Sequence, residues 1–393
     1  MSEEKADNWG GFLLRFLMCQ SDDTREKLYG RVTREQARKS KNIDQEIEKE
    51  REVDNLHKVL LLGGQGSGKS TLFKQMRILH CDGFTQTDYI NFRYLIHANI
   101  MEAMSQLIEG AYHLRLKVDL SVQFLVEWYR KEYSPTDSEL TCTMAETIKM
   151  IYASPFIQQV LRRRDDIELL DSALYFLDNL DRIAAPKYQP TLQDVLRSRI
   201  TTTGIIEIQF NHKDHILKMI DVGGQRTEQR KWIHCFDKVS GVLFVAELSA
   251  YNMRTKDLYY FDGTQTRHAD PDTKYNKLKD SMRIFKRIAN HPAFSENTAM
   301  ILFLNKVDIF QEKLTRQNLD ICFSEYKGPA EFVQAVEYIR MRFEKLVSAE
   351  LQLTRPTYVH FTTATDTKNI DRVFDSCLDV VFKRNMERVG LGA

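Results

Sequence analysis

Four stretches of the chain carry residue types at spacings suited to holding and transferring phosphate. The first is Gly63-Gly64-Gln65-Gly66-Ser67-Gly68-Lys69-Ser70-Thr71, which follows the apolar run Val59 to Leu62. Gly63, Gly68, Lys69 and Ser70 match G-x-x-x-x-G-K-[ST], a motif that needs a strand before it and a helix after it. Small residues let consecutive N–H groups turn inward on a phosphate, and the helix adds its positive N-terminal end. In that arrangement Lys69 reaches the outer phosphates and the Ser70 hydroxyl ligates Mg2+. A plain flexible turn accounts for the glycines, but not for strand, loop, Lys-Ser pair and helix in that order.

The second stretch, Asp221-Val222-Gly223-Gly224-Gln225, follows the apolar run ending at Ile220. A carboxylate at a strand end suits the water shell of Mg2+, a glycine lets the backbone approach a terminal phosphate, and Gln225 is placed to orient an attacking water. The third, Asn305-Lys306-Val307-Asp308, offers a carboxylate that accepts two hydrogen bonds from guanine, a donor pair that adenine lacks. Thr363-Ala364-Thr365 lies past the next strand and would give the base a backbone N–H. The fourth, Arg197 to Gly204, is rich in threonine and reads most simply as a linker. Next to a phosphate loop, however, Thr202 supplies a second metal hydroxyl and Arg199 a cation for the charge on a transferred phosphoryl group.

The elements that must carry these loops can be followed along the chain. Val59–Leu62, Gly204–Phe210, Ile216–Ile220, Val242–Glu247, Met300–Leu304 and Tyr358–Phe361 are apolar or β-branched runs read as strands. Helices are expected at 71–79, 280–289, 330–350 and 370–386. This is an α/β pattern, a mostly parallel sheet with helices on both faces and its loops at the carboxyl ends of the strands. From about Asp82 to Leu196 no strand is expected. Stripes such as Ile90, Tyr94, Ala98 and Met101, with further segments at 118–129, 144–152 and 169–183, predict an inserted all-helical domain. The expected division is an extension at 1–19, a charged N-terminal helix at 20–57, a phosphate-binding domain at 58–81 and 197–393, and the insert at 82–196.

Composition narrows the surroundings. A length of 393 residues allows two or three domains, and a formal charge of +1 gives no bulk attraction for nucleic acid, so none is expected as a partner. The six cysteines, at 19, 81, 142, 235, 322 and 377, show no C-x-x-C pair, which fits a reducing compartment. No apolar run reaches the roughly 18 residues of a spanning helix. Phe12 to Cys19 is a short hydrophobic cluster that fits contact with a membrane surface or a partner, and Cys19 is a candidate for acylation. Ser2 stands where N-myristoylation needs glycine.

Taken together, the phosphate loop, Arg199 with Thr202, Asp221 to Glu228, Trp232 to Phe236, Asn305 to Asp308 and Thr362 to Thr365 resemble the α-subunits of heterotrimeric G proteins, from about Met18 onward. The resemblance implies a Ras-like P-loop GTPase domain with a helical insert, GTP and GDP as ligands, Mg2+ held by Ser70 and Thr202, and Arg199 and Gln225 as catalytic residues. It also implies Ser172, Leu196 and Arg197 as nucleotide contacts. Implied partners are a βγ dimer at the N-terminal helix and residues 225–236, a seven-helix receptor at the C-terminal helix, an effector, and regulators of hydrolysis. The implied location is the inner face of the plasma membrane, with Cys19 palmitoylated.

The sequence departs from the family in places. Where family members read Gly-Ala-Gly-Glu-Ser, this chain has Gly63-Gly64-Gln65-Gly66-Ser67. Gln65 adds a side chain where the γ-phosphate, glutamine and arginine converge, and Gly66 replaces a glutamate that pairs with the arginine. Slowed hydrolysis is the expectation. The alternative is a GTP-bound interaction module with little hydrolysis, controlled by exchange. Tyr251 to Tyr275 is longer than the corresponding family segment and reads as a surface insertion.

Overall fold

A computed structural model describes residues 56–134, 139–213, 215–255 and 275–389. Cys19, the N-terminal extension, the N-terminal helix to residue 55 and residues 256–274 of the insertion lie outside them. The chain forms two compact units. The first comprises residues 1–56 and 214–216, of which only Leu56, His215 and Ile216 are described. The second, residues 57–213 and 217–393, holds the hydrophobic cores and the loops of interest.

The strands in chain order are β1 (Leu56–Gly63), β2 (Ile205–His212), β3 (His215–Val222), β4 (Gly241–Glu247), β5 (Arg254–Thr255), β6 (Tyr275–Asn276), β7 (Ala299–Asn305) and β8 (Thr357–Thr362). Six of them form one sheet in the order β2-β3-β1-β4-β7-β8, while the short β5 and β6 pair antiparallel apart from it. The pairs β1·β4, β4·β7 and β7·β8 are parallel, with Leu60 opposite Val242, Val242 opposite Met300 and Met300 opposite Thr357. β4 and β7 are buried at every position, as strands covered on both faces must be.

Side-chain alternation sorts these strands into two cores. Leu60, Leu62, Val242, Phe244, Met300 and Leu302 pack with Leu278, Phe285 and Ile288 of the helix Lys277–Ala289. Val59, Leu61, Leu243, Val245, Ile301 and Phe303 pack instead with Leu72 and Met76 of helix α1 (Lys69–His80) and Ile370, Phe374 and Leu378 of the C-terminal helix Thr367–Val389. Each parallel strand therefore points its carboxyl end toward the same rim, where the loops of interest lie.

Between His80 and Ile205 every described element is a helix. The longest, α2 (Gln86–His113), starts at a capping box of Thr85 and Asp88. Its Ile96, Ile100, Met104 and Leu107 enter a third core with Val126, Ile148, Phe156, Phe176 and Ile183, separate from those of the sheet. A body of helices with its own core is what the interrupted strand pattern requires.

Local differences from expectation have local causes. The stretch 169–183 is two short helices, Ala173–Asp178 and Leu180–Ile183, divided at Asn179. The expected helix over 330–350 is also two, Phe332–Glu344 and Ala349–Thr354. Asn290 reaches the break, donating to Leu346 O at 3.0 Å and accepting from Ser348 N at 2.8 Å, so the backbone there is held by a side chain. The helix Pro155–Arg162 was not expected; Ser154 caps it and Pro155 occupies its first turn. Thr191 and Asp194 form a capping box for Leu192–Arg197, a helix that ends where the stretch read as a linker begins. Among the described residues no helix is long and apolar enough to cross a membrane.

Candidate functional site

The strand rim and the helical body enclose a cavity of about 520 Å3. Residues Gly64 to Thr71, Ser172, Leu196, Arg197, Arg199, Thr202, Gly224, Gln225, Asn305, Lys306, Asp308, Ala364 and Thr365 all line it. Of the residues singled out in the sequence, Gly63 and Asp221 are set behind this lining: the Gly63 carbonyl accepts from Lys69 Nζ at 2.9 Å, and Asp221 is buried beneath Ser70 and Thr202.

The loop at the end of β1 owes its path to close approaches. Gly68 caps α1 with φ 101°, and a Cβ there would lie 2.2 Å from Asn305 Nδ2, so only glycine fits. Asn305 uses that proximity. It donates to Ser67 O at 2.8 Å and accepts from Thr362 Oγ1 at 3.1 Å and Ala364 N at 3.0 Å. One buried side chain thus ties the phosphate loop to both base-side loops. Of the backbone N–H groups that Thr363-Ala364-Thr365 could offer a base, that of Ala364 is engaged by Asn305. Asp308 is exposed at the cavity edge, in the first turn of the helix Val307–Leu314.

Lys69 is buried and also donates to Gly64 O at 2.8 Å. Burial lowers its pKa to about 8, against the pull of Asp221. Gly224 packs on it so closely that a Cβ would be 2.4 Å from Nζ. Burial raises Asp221 to about 6, opposed by Lys69 and by hydrogen bonds from Ser70 and Thr202.

Ser70 Oγ and Thr202 Oγ1 are 2.6 Å apart, and both face Asp221 Oδ2, at 3.3 and 3.4 Å. The other carboxylate oxygen, Oδ1, is buried with no hydrogen-bond partner among the described residues. These are hard oxygen donors beside an unsatisfied carboxylate, which fits Mg2+. No group of three His, Cys, Asp or Glu gathers among the described residues, so a cation here would rely on hydroxyls and on ligand oxygens.

Arg199 and Gln225 reach the same cavity from loops that are tied together. Asn99 on α2 accepts from Arg199 N at 2.7 Å, while the Arg199 side chain is exposed. Gly204 N donates to Glu228 Oε2 at 2.7 Å, and Gly223 N donates to Gly204 O at 3.2 Å. Gln225 caps the short helix Arg226–Gln229 through its carbonyl, which accepts from Glu228 N and Gln229 N at 3.0 Å each. The segment carrying Thr202 and the segment carrying Gln225 are therefore mechanically joined.

The sequence reading missed several residues of this region. Asp171, Glu247, Asn99 and Lys277 line the cavity, and Lys74 on α1 donates to Val195 O and Ser198 O, each at 2.7 Å, just before Arg199. Glu247 had a signal: it is a carboxylate ending an otherwise apolar strand, at the end where such sheets bind ligands. Asn99 and Asp171 had none, because their approach depends on how the helices pack.

Comparison with known proteins decides the family. A model of the G-protein alpha subunit matches residues 37–381. The chain belongs to the G-protein alpha-subunit family. It is 51% identical over 360 residues to the guanine nucleotide-binding protein alpha-11 subunit of Caenorhabditis elegans, covering 90% of this chain and 98% of that one. It is 38% identical over 366 residues to the alpha-7 subunit of Caenorhabditis briggsae, covering 91% and 97%. It is also 38% identical over 358 residues to the G(o) subunit alpha of Locusta migratoria, covering 88% and 95%. As a G-protein alpha subunit it combines a Ras-like GTPase domain with a helical insert, binds GTP and GDP, hydrolyses GTP, and signals within a heterotrimer between receptors and effectors.

Proposed function

We propose that the cavity runs a self-timed switch in which Gln225 orients water in line with the γ-phosphate, Arg199 offsets the charge on the transferred group, and Lys69 holds the outer phosphates. Ser70 and Thr202 would ligate Mg2+, Asp221 would accept from its water shell, and the ion would supply positive charge to offset that of the phosphates. The observation that supports this reading is the Ser70–Thr202–Asp221 triangle, whose buried Oδ1 has no hydrogen-bond partner among the described residues. Asp308 would read guanine, with Ala364 and Thr365 beside the base, and Ser172, Leu196 and Arg197 would close over the nucleotide from the side of the insert.

The separate cores support a division into 58–81 with 197–393 and an insert at 82–196. On the family pattern, the βγ dimer would bind the N-terminal helix and residues 225–236, and a seven-helix receptor the C-terminal helix. Cys19, if palmitoylated, would hold the protein at the inner face of the plasma membrane. Single-turnover hydrolysis of bound GTP tests the mechanism, and a rate no higher than that of a Gln225→Leu variant would defeat it. A second reading, a module that stays GTP-bound, draws on Gln65, which is exposed and lines the same cavity as Arg199 and Gln225.

A further inference from the structure

Lys306, just past β7, places its ammonium between two carboxylates: Asp171 Oδ2 of the helical body at 2.5 Å and Glu247 Oε1 at the end of β4 at 2.9 Å. Burial alone would lower the Lys306 pKa, but the two carboxylates outweigh it and hold it above the usual lysine value. Their roles differ. Asp171 belongs to the insert, whereas Glu247 ends a wholly buried strand and is itself fixed, since Ser249 Oγ donates to Oε1 at 2.9 Å and Ser249 is fully buried. Glu247 Oε2 points along the phosphate loop, 3.8 Å from where a Cβ at Gly66 would sit. Gly66, Asp171, Glu247 and Lys306 all border the cavity.

We propose that Glu247 is a positioning residue for nucleotide retention: it anchors the Lys306 ammonium on the sheet side, so that the pair with Asp171 closes the helical body over the bound guanine nucleotide. An ammonium on a flexible four-carbon stem makes a poor latch unless something rigid holds it. Glu247 is that support, and Ser249 keeps its carboxylate in place. Removing one partner of a buried, hydrogen-bonded charge pair acts mainly on the dissociation rate, so loss of Glu247 opens the clasp without removing a nucleotide contact.

The inference rests on the cavity being the nucleotide site. Full-length protein is loaded with fluorescent GDP, and release is followed for the wild type, E247Q, D171N and the double variant. E247Q is expected to release about tenfold faster, with the double variant no faster than the faster single, because both act through one ammonium. Release from E247Q within about twofold of wild type, or accelerations that multiply in the double variant, would overturn the proposal. If E247Q does not fold, S249A carries the test: it frees Oε1 and is expected to speed release about threefold, and a wild-type rate would overturn the proposal. A wild type that takes up no GDP would instead defeat the nucleotide reading itself.

Discussion

Ser70 Oγ, on the first turn of α1, and Thr202 Oγ1, 132 residues later in an irregular loop, meet at 2.6 Å over the Asp221 carboxylate. Two hydroxyls that close share one task. Mg2+ held by both hydroxyls would tie the loop carrying Thr202 to the nucleotide; without it, the hydrogen bond between them would be the remaining link. Ser70→Ala is therefore expected to release a non-hydrolysable GTP analogue at least about tenfold faster than wild type. Chelating Mg2+ should accelerate release from wild type and leave the variant almost unchanged. Stopped-flow fluorescence with and without chelator checks this, and equal sensitivity in both proteins would exclude a metal role for Ser70.

On the proposed mechanism Gln65 would bear on rate rather than affinity. Its side chain is exposed on the cavity wall shared with Arg199 and Gln225, so it can crowd the attacking water without disturbing the N–H groups of the loop. Gln65→Gly is expected to raise single-turnover GTP hydrolysis up to about a hundredfold, equivalent to about 2.7 kcal/mol of transition-state stabilisation. GTP affinity should stay within about threefold, a change under 1 kcal/mol. An unchanged rate would make Gln65 a bystander.

Asp194 organises the side of the helical body nearest the cavity. It is fully buried and accepts from both terminal nitrogens of Arg182 at 2.7 and 2.8 Å, from the hydroxyls of Tyr175 and Tyr188 at 2.8 and 3.0 Å, and from Thr191 N at 2.8 Å. Burial works to raise its pKa, but Arg182, Thr191 and the tyrosines together bring it below the usual carboxylate range. A depressed folded-state pKa means that the stabilisation is present above about pH 4 and fades as pH falls toward the folded value. Asp194→Ala is expected to cost about 3 kcal/mol at neutral pH, because it strands Arg182 and two tyrosine hydroxyls. Denaturant melts should show that deficit shrinking in acid, and a deficit independent of pH would rule the charge out.

What could be read from the chain and what could not fall on either side of a physical division. Val59 to Leu62, Val242 to Glu247 and Met300 to Leu304 announce buried parallel strands because both faces of each are covered, so their composition is nearly continuous in apolar residues. Lys69 opens the helix after β1, while Asp221 and Asn305 stand at the ends of β3 and β7, and chemistry at a strand end is local enough to find by spacing. Asn99 holding Arg199, Asn305 bonding Ala364 and Lys306 meeting Asp171 are side-chain encounters between distant segments, fixed only by packing. The breaks at Asn179 and after Lys345 went unseen for a related reason, since neither contains glycine or proline and the second is held by Asn290, which caps the helix Lys277–Ala289.

Lys74 makes the last case. Its ammonium is buried and donates to Val195 O and Ser198 O at 2.7 Å and to Ser198 Oγ at 3.0 Å, gripping the chain where it leaves the helical body for Arg199 and Thr202. Burial lowers its pKa from 10.5 to about 7. The folded protein then gives up a proton near neutrality that the unfolded chain keeps until about pH 10, so the unfolded state binds more protons in that window. Stability contributed by this site must rise with pH, by at most about 1.4 kcal/mol per unit. Lys74→Met keeps the length of the side chain but removes the donor to Ser198 O and Ser198 Oγ and leaves Val195 O to the Ser198 hydroxyl and N–H alone, at a cost of about 2 kcal/mol. The stability difference between wild type and Lys74→Met is therefore expected to widen as pH rises from 7 to 9 in denaturant titrations. A flat difference would show that Lys74 holds the same charge in both states and acts by hydrogen bonding alone.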